Sequence, residues 1–156
     1  YDKNGLDEKT LLHLKHQKKS PIEYPGGTKI ETGQIFGLPV DVLIPAAVTD
    51  SINDKNKNEI RAKIIVEGSN IPMREPIEEY FFNKGILVVP DFVANAGGVI
   101  SSYAEYQGYS HEKMFKLVEK KIKNATTAVL KKSLQENRNP REVAMEIAVK
   151  RVEEKM

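Results

Sequence analysis

The chain has 156 residues, 24 Lys plus Arg against 22 Asp plus Glu, a formal net charge of +2, and 40% hydrophobic and 29% charged residues. That is globular rather than disordered composition, and a domain of this length removes roughly 68–70% of its unfolded surface from water, enough for one core without staples. Cys is absent, which excludes disulfides, thiolate metal sites and thiol nucleophiles and fits a reducing, cytoplasmic setting; no apolar run is long enough to span a bilayer, and the near-balanced charge names no nucleic-acid partner.

The chain opens at Tyr1 on the polar Asp2-Lys3-Asn4-Gly5, with no signal or transit pattern, and reads as an internal start. From Gly5 a helix is expected: Leu6, Leu11, Leu12 and Leu14 form its apolar set, Asp7 and Glu8 its first turn, and Lys15, Lys18 and Lys19 its last. These charges complement the helix dipole. Ser20-Pro21 ends the helix, and the segment to Pro39 reads as irregular with at most one short helix.

Three short apolar runs follow, Val42-Leu43-Ile44, Ile64-Ile65-Val66 and Ile86-Leu87-Val88-Val89, whose first residues lie about 22 positions apart. Such β-branched runs bounded by breakers are expected of strands buried on both faces. The intervals between them read as helical. In the second interval Pro76 suits a first helical position, Ile77, Tyr80 and Phe81 share a face, and Asn83-Lys84-Gly85 is a stop. Strand, helix, strand, helix, strand implies a parallel sheet, so residues 40–98 read as part of a doubly wound α/β layer.

Beyond Gly98 the pattern is helical. Val99, Tyr103 and Tyr106 share a face of a first helix closed by Gly108. A long second helix from about Ser110 carries Met114, Val118, Ile122, Ala125 and Val129 at spacings of three and four. A third has Asn139 as N-cap, Pro140 first and Glu142 in capping-box position, with Val143, Ile147, Ala148 and Val152 inward.

In an open parallel sheet, ligands bind beyond the carboxyl ends of the strands. There the sequence places Pro45-Ala46-Ala47, Gly68-Ser69-Asn70, and Pro90-Asp91 followed by Asn95-Ala96-Gly97-Gly98. Tiny side chains let a flat ligand approach the backbone, and an Asn amide can orient it. No G-x-G-x-x-G or G-x-x-x-x-G-K occurs, so a dinucleotide's pyrophosphate cradle would have to lie upstream of Tyr1. Other signals read as surface: His13 and His16 as a solvated face rather than metal ligands, Glu78-Glu79 as solubilising charge, and Lys120, Lys121, Lys123, Lys131 and Lys132 as a basic flank without aromatic platforms for nucleic acid. Ser101 and Ser102 have no nearby His to act as base, which disfavours hydrolase chemistry.

The segments DVLIPAA (Asp41 to Ala47), AKIIVEGSN (Ala62 to Asn70) and GILVVPDFVANAGGVISS (Gly85 to Ser102), with Glu105 beyond, resemble the carboxyl-terminal half of glutamate dehydrogenase, in the Glu/Leu/Phe/Val dehydrogenase family. Asn4-Gly5-Leu6-Asp7 and Tyr24-Pro25-Gly26 resemble that family's linking segment, so the likeness covers essentially the whole chain. Leucine and phenylalanine dehydrogenases share the NAGG turn, while GSN and Ser102-Tyr103 with Glu105 favour the glutamate branch. Ser69 stands where the family commonly has Ala, Met73-Arg74 where a Thr pair is common, and Asp50 where Asn is often seen.

The resemblance implies a partial Rossmann-like doubly wound parallel sheet followed by a carboxyl-terminal helical segment. Residues 1–98 would form the later part of the nucleotide-binding domain and 99–156 the helices packing on it. It implies NAD- or NADP-dependent oxidative deamination of glutamate to 2-oxoglutarate and ammonia, in a homo-oligomer that is a hexamer in the family. Ala46 and Ala47 would lie against the cofactor ribose, Asn70 and Asn95 would hydrogen-bond the nicotinamide side, and Val99 and Ser102 would line the substrate. The family's catalytic Lys and Asp sit in an amino-terminal domain, so these residues are expected to supply half a site, to be inactive alone and to self-associate through an uncovered sheet edge. The rival expectations are a stand-alone, non-enzymatic module for nucleotides or small anions, and an assembly module carried by the helices.

Overall fold

A computed structural model describes residues 1–156, in two compact units, Tyr1–Leu38 and Pro39–Met156. In the first, helix α1 (Glu8–His16) starts two residues beyond Leu6, the first of the expected apolar set, because Asp7 is its N-cap and accepts from Thr10 N. Leu14 is its buried residue, whereas Leu6 and Leu12 are exposed. The stretch expected to be irregular holds two short 3₁₀ helices, Pro21–Glu23 and Thr32–Gly37. Ser20 and Glu23 cap the former reciprocally, which secures a turn too short to show as an apolar repeat.

The second unit contains a three-stranded sheet in the order β1-β2-β3, formed by Val42–Leu43, Ile64–Val66 and Leu87–Val89. All pairs are parallel, with Val42 opposite Ile64, Leu43 opposite Ile65, and Ile65 opposite Val88. The interval between β1 and β2 is not helical as expected; residues 45–63 form turns. Its Asn-rich stretch explains this, since Asn53 and Asn56 spend their side chains on local backbone: Asn56 Oδ1 accepts from Asn53 N, Asn53 Oδ1 from Lys55 N, and Asn56 Nδ2 donates to Ser51 O. Such bonds offer the chain an alternative to helix. The second interval does form a helix, α2 (Glu75–Asn83), closed by Gly85 at φ 75°.

After β3 a single-turn helix α3 (Asp91–Ala94) intervenes before α4 (Gly97–Tyr106). Helix α5 (His111–Glu136) is capped by Ser110 and ends at Asn137 in the left-handed region. It turns into α6 (Pro140–Glu153), where Asn139 accepts from Arg141 N. Glu142 does not complete the expected capping box; its carboxylate lies toward Arg138 instead. Val89, Val93, Val129, Val143 and Ala144 form a core joining sheet, α3, α5 and α6. Val152, expected inward, is exposed near the end of α6.

Sheet and following helices thus share one compact unit, and the boundary of compactness falls after Leu38. No helix is long and apolar enough to cross a membrane.

Candidate functional site

The loops after β1 and β2 are tied together at the carboxyl edge of the sheet. Pro45 O accepts from both Gly68 N (3.1 Å) and Ser69 N (3.0 Å), and from the Ser69 hydroxyl at 3.3 Å. This proximity favours glycine at 68: a Cβ there would stand 3.0 Å from Ala46 Cβ and 3.3 Å from Ile44 Cγ2, so the neighbouring loop would have to give by a few tenths of an ångström. Further along, Thr49 Oγ1 donates to Asn70 O at 3.0 Å, Asp50 N to Ile71 O and Ile52 N to Pro72 O, both at 2.9 Å. The Arg74 guanidinium closes the strap with two 2.7 Å bonds to Asp50, holding that carboxyl below its usual range.

The strap leaves a shallow open cleft lined by Ala47, Val48, Thr49, Ser69 and Asn70. At one side Asn95, just beyond α3, donates through Nδ2 to Asn70 Oδ1 at 2.7 Å. The two asparagines, 25 residues apart in sequence, are therefore brought together as a pair. Ala46 and Ala47 are exposed along the same edge, offering backbone with no side chain beyond Cβ. Val99 and Ser102 stand on α4 and do not line this cleft. Val99 is 77% exposed, and the Ser102 hydroxyl turns back onto Gly98 O at 3.1 Å. The face they share with Tyr103 and Tyr106 is open, Tyr106 being 86% exposed.

Beneath this edge lies a cluster that the sequence reading missed. Glu67, the residue after β2, and Glu78, on α2, are 0% and 1% exposed, so Glu78 is not the surface charge expected of it. Arg141, in the first turn of α6, reaches both of them and Asp91. Its Nε donates to the two Glu78 oxygens at 2.8 and 2.7 Å, and its Nη2 to Asp91 Oδ1 at 2.8 Å and Glu67 Oε2 at 3.2 Å. Burial, with the neighbouring Glu78 charge, pushes the Glu67 carboxyl up to about 8. Burial also raises Glu78 despite Arg141. Asp91 resists its own burial, because bonds from Ile71 N, Arg141 and Phe92 N hold it low. Glu67 Oε1 is buried without a partner, a smaller penalty for a neutral acid than for a carboxylate.

One signal was available in sequence, a glutamate directly after a strand buried on both faces. Nothing in spacing pointed to Arg141, which stands 74 residues from Glu67. The basic flank of α5 is partly neutralised, since Lys132 pairs with Glu146 and Glu136.

All of residues 1–156 match the profile of the Glutamate/Leucine/Phenylalanine/Valine dehydrogenase family. The chain is 40% identical to a glutamate dehydrogenase of Aeropyrum pernix over 97% of its own length and 39% of that protein's. It is 36% identical to an NADP-specific glutamate dehydrogenase of Saccharolobus shibatae, over 96% of this chain and 37% of the relative. An NAD-specific glutamate dehydrogenase of Clostridioides difficile is 32% identical over 100% of this chain and 38% of its own. The chain thus spans about two fifths of the length of these relatives. Among solved structures, a hetero-hexameric glutamate dehydrogenase from Thermus thermophilus superimposes with a TM-score of 0.81 at 24% identity, over all of this chain and 38% of the other.

Proposed function

Since the chain belongs to the Glutamate/Leucine/Phenylalanine/Valine dehydrogenase family, we propose that it supplies the nicotinamide-side half of the site in an NAD- or NADP-dependent oxidative deamination of L-glutamate to 2-oxoglutarate and ammonia. The observation that carries this reading is the Asn70–Asn95 pair beside the small-residue edge. Their mutual bond consumes one acceptor and one donor, which leaves Asn70 Nδ2 as a donor and Asn95 Oδ1 as an acceptor. That is the complement of a carboxamide, and it survives exchange of oxygen and nitrogen in both amides.

When bound, the dinucleotide supplies the hydride acceptor. The chain's own residues would hold and orient it. Asn70 and Asn95 fix the plane of the carboxamide, and Ala46 and Ala47 admit the ribose against bare backbone. Orientation of this kind lowers the barrier by holding the reacting carbon in a near-attack geometry. Val99 and Ser102, exposed on α4, line the substrate in this reading, with Ser102 releasing Gly98 O to reach the glutamate side-chain carboxylate.

Residues 1–98 then serve as the later part of the nucleotide-binding domain and 99–156 as its carboxyl-terminal helices. The acid–base residues belong, as in the family, to an amino-terminal domain, so these 156 residues alone do not turn over. Strand β1 is an edge strand, with Val42 on it and Ile44 just after it exposed, and the α4 face is open; both support assembly with further polypeptide into a homo-oligomer, a hexamer as in the family, and the absence of Cys fits a cytoplasmic setting.

The test compares the 156-residue polypeptide with the full-length protein. The polypeptide is expected to bind NADH weakly and to oxidise no glutamate; the full-length protein is expected to oxidise glutamate with NAD or NADP. Asn70→Ala with Asn95→Ala is expected to lower the hydride-transfer rate. Tight binding of an unrelated nucleotide or anion, unaffected by these substitutions, would overturn the reading in favour of a non-enzymatic module. Unchanged turnover in the doubly substituted protein would sink the assigned roles.

A further inference from the structure

We propose that Asp91 and Arg141 are positioning residues for the Asn70–Asn95 pair, acting through the backbone of Ile71; the inference rests on reading that pair as the nicotinamide-side contact. Ile71, which follows Asn70 directly, has φ 46°. A β-branched side chain is disfavoured there, because its Cβ crowds the backbone. The conformation therefore persists only if neighbours impose it. Two do: Asp91 Oδ2 accepts from Ile71 N at 3.0 Å, and Asp50 N donates to Ile71 O at 2.9 Å.

Asp91 also governs the other member of the pair. It opens α3, whose last residue, Ala94, precedes Asn95, and Asp91 O accepts from Asn95 N at 2.8 Å. One residue thus holds the backbone beside Asn70 with its carboxylate and that of Asn95 with its carbonyl. Asp91 is itself held on two sides. Its N–H donates to Glu67 Oε2 at 2.7 Å, and its second carboxylate oxygen takes Arg141 Nη2 at 2.8 Å. Arg141 cannot swing away without abandoning both oxygens of Glu78, and its guanidinium lies over Phe92, 5.3 Å from the ring centroid. Helix α6 contributes no side chain to the cleft, yet through Arg141 it reaches within two hydrogen bonds of the loop that carries Asn70.

A double-mutant cycle on NADH affinity of the full-length protein tests this, because residues acting through a common element are non-additive. Asn70→Ala is expected to weaken NADH binding about tenfold, the loss of one oriented hydrogen bond. Asp91→Asn, which leaves one carbonyl oxygen for two partners, is expected to weaken it about fivefold in the wild-type background and less than twofold in the Asn70→Ala background. Arg141→Lys should behave like Asp91→Asn with a smaller loss.

Ile71→Gly removes the need for a clamp, since glycine takes a positive φ unaided. Added to Asp91→Asn, it is expected to restore affinity to within about twofold of the wild type, which no general loss of stability would produce. Val129→Ala is the control for destabilisation: it opens a cavity in the core and should lower Tm without moving Kd. Full additivity of Asp91→Asn with Asn70→Ala, or an unchanged Kd in Asp91→Asn, would overturn the positioning role. If Asn70→Ala itself leaves the affinity for NADH intact, the nicotinamide reading fails first and the positioning role falls with it.

Discussion

The cleft edge and the cluster beneath it are built on opposite physical terms. At the edge, Ala46, Ala47 and Asn70 are exposed and uncharged, so each contributes little to stability and remains free to meet a ligand. Beneath it, Glu67, Glu78, Asp91 and Arg141, drawn from four separate segments, gather three acidic side chains around one guanidinium with little exposure to solvent. Buried charges of this kind are costly to assemble and costlier to break. If the edge is the nicotinamide-side site proposed above, the contrast teaches that the precision of a neutral, solvent-facing surface is stored below it, in charged groups that do not line the cleft.

The most severe way to break that contrast is Arg141→Met. It leaves Glu67, Glu78 and Asp91 without their cation, and an uncompensated buried charge costs about 3–5 kcal/mol, measurable by denaturant unfolding. Adding Glu78→Met to the same chain should recover a substantial part, since an apolar pair of similar volume often matches a buried ion pair. No recovery would mean that the carboxylates find water or one another without help from Arg141.

The cluster also sets a pH dependence. The Glu67 carboxyl is raised to about 8 in the folded chain from an ordinary 4.5, so between those values the folded state holds a proton that the unfolded state has released. Stability contributed by the neutral acid is full below about 4.5 and is lost as pH rises through about 8. Asp91 acts with the opposite sign: held low when folded, it contributes above its ordinary value of 3.8 and loses that contribution in acid. Glu67→Gln keeps the shape and removes the titration. The expected outcome is a shallower decline of Tm between pH 5 and 8 than in the parent chain, and an identical decline would assign the dependence to other groups.

A smaller effect is expected where the two loops meet. Gly68→Ala drives a Cβ to 3.0 Å from that of Ala46, and overpacking of a tight contact costs about 1–3 kcal/mol. Gly98→Ala is the matched comparison, because nothing lies within 4 Å of a Cβ there. Inside α4 it should be neutral or stabilising by up to about 1 kcal/mol. Equal effects at both positions would show that the loops move apart readily.

What the sequence disclosed divides along the same line. The strands were legible because Ile64-Ile65-Val66 and Leu87-Val88-Val89 are β-branched or apolar runs between breakers, a local property. Helices α2, α5 and α6 were legible from Pro76, Ser110 and Asn139 at their starts. The small residues of the cleft stood out because tiny side chains follow each strand, Ala46-Ala47 after β1, Gly68-Ser69 before Asn70 after β2, and Ala96-Gly97-Gly98 after Asn95 beyond β3. The turns at 45–63 were misread, since apolar residues such as Ile52 and Ile60 are buried there while Asn53 and Asn56 decide the backbone through local bonds. The ion cluster was illegible for a different reason: its members come from β2, α2, α3 and α6, and charge pairing between distant segments leaves no periodic trace. Glu78 looked solvated because helix spacing alone cannot show what covers a face.

The smallest expected change in stability falls on the residues of greatest functional interest. Asn70→Ala and Asn95→Ala each remove one exposed hydrogen bond and should shift unfolding free energy by no more than about 0.5 kcal/mol. Because the two asparagines are each other's partner, either substitution frees the other amide, and the pair should show coupling in ligand binding rather than independent losses. Denaturant unfolding run beside NADH titration checks both statements on one set of samples. A large stability loss from Asn70→Ala would place that side chain among the groups that hold the loop, and the division between a neutral edge and a charged foundation would have to be redrawn to include it.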